Sequence, residues 1–240
     1  MNENGLKLSK TGISEIFFSF QGEGLFFAEP QIFVRFSGCN IKCCYCDTKT
    51  KNKNFHGTSA VVYKVRSLIR KNEDKFIKNR SKTVVLTGGE PLLWKDFIAS
   101  LLPRLKRLNY LIYLETNGIL SNNLKSVIKR IDVVSMDIKL PSDCKNSYWK
   151  DHRKFLEICK DKAFAKLVIS DRTKNEEVLR AVNMVSDISK KIPFVFQTVS
   201  PIKNINKPAI INTEKWIEYA KKKLDKVYLI PQLHKVWYIN

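Results

Sequence analysis

The residues best suited to chemistry in this chain are thiols. The stretch "GCNIKCCYCDT", residues 38 to 48, places four of the six cysteines within eight positions. Taken as Cys39, Cys43 and Cys46 they read C-x3-C-x2-C, with Cys44 as a spacer residue. Three thiolates on one short loop can hold three irons of a cubane 4Fe–4S cluster, whereas ferredoxin patterns supply a fourth cysteine that closes the site. The open iron can then take a ligand through nitrogen and oxygen, which turns an electron carrier into a reaction centre. Structural zinc is the competing use of clustered cysteines, but zinc wants a tetrahedron, usually assembled from two separated pairs of Cys or His. No second pair is spaced for it: Cys144 and Cys159 stand far apart, and His56, His152 and His234 form no ligand motif. Cys44 cannot replace Cys43 without changing the spacing to C-x4-C-x-C, which crowds the last pair, so it is read as a neighbour.

A reducing compartment keeps such thiols available. The start "MNENGLKLSKTG" lacks the basic, apolar and small-residue segments of a secretory signal, and no apolar run approaches the ~18 residues of a membrane span. A cytoplasmic protein without membrane contact is expected. The formal net charge of +20 would attract polyanions. Its lysines are scattered through nearly every segment, as in "KSVIKR" and "KKKLDK", with no arginine-rich arm, which describes a solvated surface. No direct nucleic-acid contact is expected.

The elements that must position the thiols follow from periodicity. Short β-branched and aromatic runs recur: "QIFVRF", "KTVVLTGG", "YLIYLETN", "IDVVSMDIK", "AFAKLVIS", "IPFVFQTVS" and "KVYLIPQ". Between them lie helix-length segments. After Thr58, the apolar residues Val61, Val62, Val65, Leu68 and Ile69 fall on one helical face, and Val178, Leu179, Val182, Val185 and Ile188 repeat the pattern. Further helices fit Leu92 to Leu108, Leu120 to Lys129, Trp149 to Lys160 and Thr213 to Lys223. This alternation predicts an α/β protein with a parallel sheet, as one domain over residues 1–240. In such a sheet functional groups collect at the carboxyl ends of the strands, where "TGGEP", "ETNG", "SMDIK" and "QTVSP" fall.

With those motifs in hand, the chain resembles the radical S-adenosylmethionine superfamily, whose motif is this cysteine spacing with an aromatic residue, here Tyr45, before the last thiol. The resemblance implies a partial (β/α)6-type barrel, parallel strands with outer helices, and a 4Fe–4S cluster on Cys39, Cys43 and Cys46. It further implies S-adenosylmethionine chelated to the open iron and cleaved to a 5'-deoxyadenosyl radical. Together, "EIFFSFQGEG", "IFVRFSGCN", "CDT" and the closing "PQLHKVWYIN" make residues 15 to 240 similar to the 7-carboxy-7-deazaguanine synthase family. That family converts 6-carboxy-5,6,7,8-tetrahydropterin to 7-carboxy-7-deazaguanine with loss of ammonia, on the way to queuosine or archaeosine in tRNA. The radical takes hydrogen from C6 of the substrate and hydrogen is later returned.

By the same resemblance, Phe20, Gln21, Gly22, Glu23, Arg35, Thr87 and the terminal Asn240 bind the pterin, and Thr48 holds Mg²⁺. Arg35 offers a planar fork of donors for the substrate carboxylate, and magnesium favours oxygen ligands. Gly89 and Glu90 match the methionine end of the cofactor, and Ser135 and Lys139 match contacts near its ribose, with Ser135 versus Asp137 left open. Gln197, Thr198, Val199 and Ser200 fall at its adenosine end, where the individual contacts stay open because the family often has Gln-Pro. Glu115 and Asn117 belong to the cofactor side, although a strand-end turn also accounts for them. An external electron donor such as flavodoxin or ferredoxin and a homodimer are implied. The alternative activity is a radical-generating activase of a glycyl-radical enzyme or of an anaerobic ribonucleotide reductase.

Overall fold

The structure is a computed structural model that describes residues 11–46, 54–76, 78, 80–199 and 212–232. One nine-stranded sheet organises it, in the order β3-β1-β2-β4-β5-β6-β7-β8-β9. Strand β1 (Thr11–Phe20) runs antiparallel to both β2 (Pro30–Phe36) and β3 (Asn54–His56). From β2 onward every pairing is parallel: β4 (Thr83–Gly88), β5 (Leu111–Thr116), β6 (Val133–Ile138), β7 (Ala163–Ile169), β8 (Phe194–Thr198) and β9 (Val227–Leu229). The order is open, with β3 at one edge and β9 at the other, as in a partial barrel.

Helices return the chain between the parallel strands: α1 (Thr58–Lys71), α2 (Lys95–Lys106), α3 (Ser121–Val127), the short α4 (Pro141–Cys144), α5 (Trp149–Cys159), α6 (Asn175–Ile188) and α7 (Thr213–Lys221). Their apolar faces form one core with alternate strand residues. Val65, Leu101, Leu124, Phe155, Val182 and Trp216 meet Val34, Leu86, Leu114, Met136, Leu167 and Phe196 there. Burying a side chain of this size stabilises by about 1.5–3 kcal/mol, so this face holds the sheet and its helices together.

The opposite face is where the period of two matters, since successive strand residues point to opposite sides. It carries a smaller apolar cluster of Phe33, Val85, Tyr113, Phe164 and Val195, one from each of five parallel strands. Two residues further along the same strands stand Arg35, Thr87, Glu115, Lys166 and Gln197. An aromatic and aliphatic floor thus gives way to a ring of polar groups at the carboxyl ends. Strand β1 is absent from the periodicity reading because in "EIFFSF" the three consecutive apolar residues Ile16, Phe17 and Phe18 blur the alternation, and it pairs antiparallel outside the βα repeat.

Candidate active site

One cleft opens over that ring. The three thiols Cys39, Cys43 and Cys46 line it, as do Phe20, Gln21, Gly22, Glu23, Arg35, Thr87, Gly89, Glu115, Asn117, Lys139 and Gln197. Residues from six strand ends and two loops, spread over most of the chain, therefore face one space. Glu90, Ser135, Thr198 and Val199 are not in its wall, and Thr48, Ser200 and Asn240 lie outside the described residues.

The cysteine loop is docked by backbone. Glu90 N donates to the Gly38 carbonyl at 2.8 Å, and Gly89 N donates to the Phe36 carbonyl at 3.1 Å. A Cβ on Gly89 would stand 1.9 Å from that Gly38 oxygen, so only glycine lets the end of β4 and the loop approach this closely. The glycine pair of "TGGEP" thus seats the loop. Glu90 is fully buried and accepts from Leu92 N at 3.0 Å, from Asn117 N at 2.9 Å and from the Thr116 hydroxyl at 2.9 Å. Burial pushes its carboxyl up to about 7, while those donors pull the other way. Glu90 is a strut behind the cleft that ties the end of β4 to the turn after β5.

The neighbouring thiols Cys43 and Cys44 are separated by their surroundings. Cys144, on α4, lies 3.2 Å from the Cys43 sulfur, and its thiol hydrogen bond draws Cys43 down to about 7. Cys44 turns toward Asp143, 3.2 Å from its Oδ1, and burial together with that carboxylate pushes the thiol up to about 11. The thiolate is the form that binds metal. Cys44 is thus turned to Asp143 while Cys43 lines the cleft, although burial raises the Cys39 thiol as well, so it is placement in the cleft wall that groups Cys39, Cys43 and Cys46. Among the described residues no group of three ligand side chains converges tightly enough for a single metal ion. A cubane requires no such convergence, since it binds one thiolate per iron. Three unpaired thiols on one loop, all facing the cleft, fit that group.

Opposite the thiols, the loop after β1 folds back, with Gln21 N donating to the Glu29 carbonyl at 2.8 Å and Ala28 N to the Gln21 carbonyl at 2.7 Å. The Gln21 amide donates to Glu115 Oε1 at 3.0 Å and to Gln31 at 3.1 Å, and the Thr87 hydroxyl donates to Glu115 Oε2 at 2.6 Å. Gly24 takes φ +65°, and a Cβ there would come within 2.8 Å of the Phe164 ring, so the loop of "QGEG" sits directly on the apolar floor. Arg35 spans Glu15 at 3.1 Å and stacks 4.8 Å from the Phe17 ring while still lining the cleft.

Between these halves runs a line of alternating charge. Lys139 pairs with Asp137 at 2.9 Å, Asp137 with Lys166 at 3.1 Å, and Lys166 with Glu23. Gln232 donates to the other Glu23 oxygen at 2.9 Å. Burial opposes the charge on Glu23, but the field and hydrogen bond of Lys166, aided by Gln197 and Gln232, outweigh it and hold the carboxyl at about 2. Burial likewise disfavours the Lys139 ammonium, and Asp137 outweighs it and keeps its pKa well above the usual lysine range. Of the two β6 candidates, Asp137 faces the cleft, whereas Ser135 lies one step lower, bonded to the Tyr113 hydroxyl. Lys166 carries no motif of its own, and Gln232, inside the closing "PQLHKVWYIN", is not among the site residues singled out from the sequence. The signal for Lys166 is its place two residues beyond Phe164 on the inward face of β7, level with Asp137 in the β6–β7 register.

A parallel sheet with a three-thiol loop at the carboxyl end of its first parallel strand defines a class, and the comparisons agree with it. The Radical SAM superfamily model matches residues 33–217, and the chain belongs to that superfamily. The chain is 32% identical to the 7-carboxy-7-deazaguanine synthase of Geobacter sulfurreducens, over 95% of this chain and 98% of that protein. It is 31% identical to the one of Archaeoglobus fulgidus, over 94% and 97%. Within the superfamily it is a member of the 7-carboxy-7-deazaguanine synthase family. The crystal structure of QueE from Escherichia coli shares the fold, with a TM-score of 0.61 at 20% identity over 94% of this chain and 95% of that one.

Proposed function

We propose that this protein converts 6-carboxy-5,6,7,8-tetrahydropterin to 7-carboxy-7-deazaguanine, releasing ammonia. One observation carries the reading: the C-x3-C-x2-C loop and the "QGEG" loop, separated by a whole strand in sequence, face each other across one polar cleft. Cys39, Cys43 and Cys46 would hold the cluster, which with S-adenosylmethionine supplies the radical that removes hydrogen from C6 of the substrate. Glu23, ionised and oriented, accepts from the guanidine-like edge of the pterin ring. Arg35 offers its fork to the carboxylate. Glu115 fixes Gln21 and Thr87 in one arrangement, so that their free faces are set before the substrate arrives. Asn117 and Lys139 border the thiol loop and take the cofactor side, Asn117 donating to Asn40 at 2.8 Å.

Thr48, two residues after Cys46, supplies a hydroxyl to Mg²⁺ beside the substrate carboxylate, and Asn240 reaches the ring. An external reductant of the flavodoxin or ferredoxin type, a homodimer and a cytoplasmic role in queuosine or archaeosine formation complete the proposal. A polar ring of this kind suits a small heterocycle better than the protein segment that an activase must admit.

The test is anaerobic reconstitution with iron and sulfide, chemical reduction, and incubation with S-adenosylmethionine, Mg²⁺ and the carboxypterin. Chromatographic appearance of the deazapurine is expected. Formation of 5'-deoxyadenosine without any deazapurine would leave the radical class standing and remove the synthase reading.

A further inference from the structure

We propose that Lys166 is a positioning residue that sets substrate affinity by fixing the Glu23 carboxylate, an inference that rests on the synthase reading. Strand β7 sends Ala165 and Leu167 into the helix-side core and Lys166 into the cleft, where only 7% of its side chain is accessible. A buried ammonium is tolerated only when paired and hydrogen-bonded. Here it joins two carboxylates from separate elements, Glu23 on the loop after β1 and Asp137 on β6 at 3.1 Å.

The two oxygens of Glu23 are held differently. Lys166 meets Oε2, and the Gln232 amide meets Oε1 at 2.9 Å. An ionised carboxylate is acceptor-only, with about four lone-pair sites. A cation on one oxygen and an amide on the other fix the plane in which the carboxylate meets a donor edge in the cleft, such as that of a guanidine-like ring. Asp137 differs because the Lys139 ammonium stays on it at 2.9 Å whatever happens to Lys166. Losing Lys166 therefore disturbs the substrate half and leaves the cofactor half compensated. A lysine that merely balanced buried charge would weaken both halves together.

Lys166→Met keeps the apolar stem and removes the charge. After anaerobic reconstitution, iron content, S-adenosylmethionine binding and substrate KM are measured on wild type, Lys166→Met, Glu23→Gln and the double variant. The expected result for Lys166→Met is a KM raised about 10- to 100-fold, the range for a hydrogen bond to a charged group, with S-adenosylmethionine affinity and iron content little changed. Lys166→Arg should recover part of the loss. If Lys166 acts through Glu23, the double variant binds substrate no worse than Glu23→Gln alone. An unchanged KM, a matching fall in S-adenosylmethionine affinity, or penalties that multiply in the double variant would each overturn the role. Where Lys166→Met holds no cluster, Lys166→Gln is read in the same way, and collapse of both shows a structural lysine and overturns the proposal. Absence of deazapurine from the wild type overturns the synthase reading and this inference with it, whereas normal wild-type turnover with an unchanged variant KM overturns only the role of Lys166.

Discussion

Replacing Gly89 by alanine would set a Cβ 1.9 Å from the Gly38 carbonyl oxygen, 2.5 Å from its carbon and 3.1 Å from Cys39 N. All three are backbone atoms of the cysteine loop, so no side-chain rotation relieves the overlap. Ordinary carbon contacts begin near 3.5 Å, and the loop must retreat by more than about 1 Å. It is also tied in place, because Glu90 N donates to the same Gly38 oxygen at 2.8 Å. Retreat breaks that bond and leaves a buried donor, and overpacking with a lost buried bond costs about 2–4 kcal/mol. Domains of this kind carry about 5–15 kcal/mol, so the fold should survive. The cluster should not, since metal–ligand distances tolerate only about 0.2 Å. Iron and sulfide per chain and visible absorbance after anaerobic reconstitution, with thermal unfolding of the apoprotein, measure both effects. Gly57→Ala is the control, because among the described residues no atom beyond its chain neighbours lies within 4 Å of its added Cβ. A Gly89→Ala protein with a full cluster and normal S-adenosylmethionine affinity would refute the account of how the loop is seated.

Serine substitutions at Cys39, Cys43 and Cys46 should each abolish the iron–sulfur absorbance, while those at Cys44, Cys144 and Cys159 largely spare it; loss at Cys44 with retention at Cys43 would reverse the ligand assignment. Burial lowers the buried His152 to about 4, and none of the described residues meets its Nδ1. The folded state therefore favours neutral imidazole, and on the order of 3 kcal/mol of apoprotein stability should be present above pH 6.5 and lost as pH falls toward 4. A His152→Gln variant whose unfolding keeps the same slope would discount that group. Thr48→Val deletes a hard oxygen ligand while keeping the side-chain shape, so turnover should fall with the cluster intact; an unaltered response to magnesium would count against Thr48. A short carboxyl-terminal tag should raise substrate KM well beyond an amino-terminal one, and equal kinetics would place Asn240 away from the pterin.

Much of the fold could be read because strand and helix periods differ and the chain alternates between them. Helix α5 begins at Trp149, where periodicity puts it, and the polar motifs do fall at the strand ends. What escaped the sequence was contact between distant segments. Cys144 stands 101 residues from Cys43, and no spacing rule brings the two sulfurs to 3.2 Å. Glu90 sits in a motif that suggests a ligand, and the motif gives no sign that three donors at the carboxyl ends of β4 and β5 converge on its carboxylate. Lys166 was within reach of a stricter reading: in "AFAKLVIS" the inward residues are Phe164, Lys166 and Val168, and a lysine between two apolar neighbours on a buried strand needs a partner. Naming that partner required the register, which pairs Lys166 with Asp137.

The same register bears on the surplus of positive charge. The described cleft carries Arg35, Lys139 and Lys166 against Glu23, Glu115 and Asp137, three cations facing three anions. The net charge of +20 therefore resides elsewhere on the molecule. Lys139, Asp137, Lys166 and Glu23 are matched one against another because an unpaired buried charge is costly, whereas a lysine in water needs no partner and is screened within about 8–10 Å. The exposed lysines answer only to solvation, which is why the composition points toward polyanions and the cleft does not.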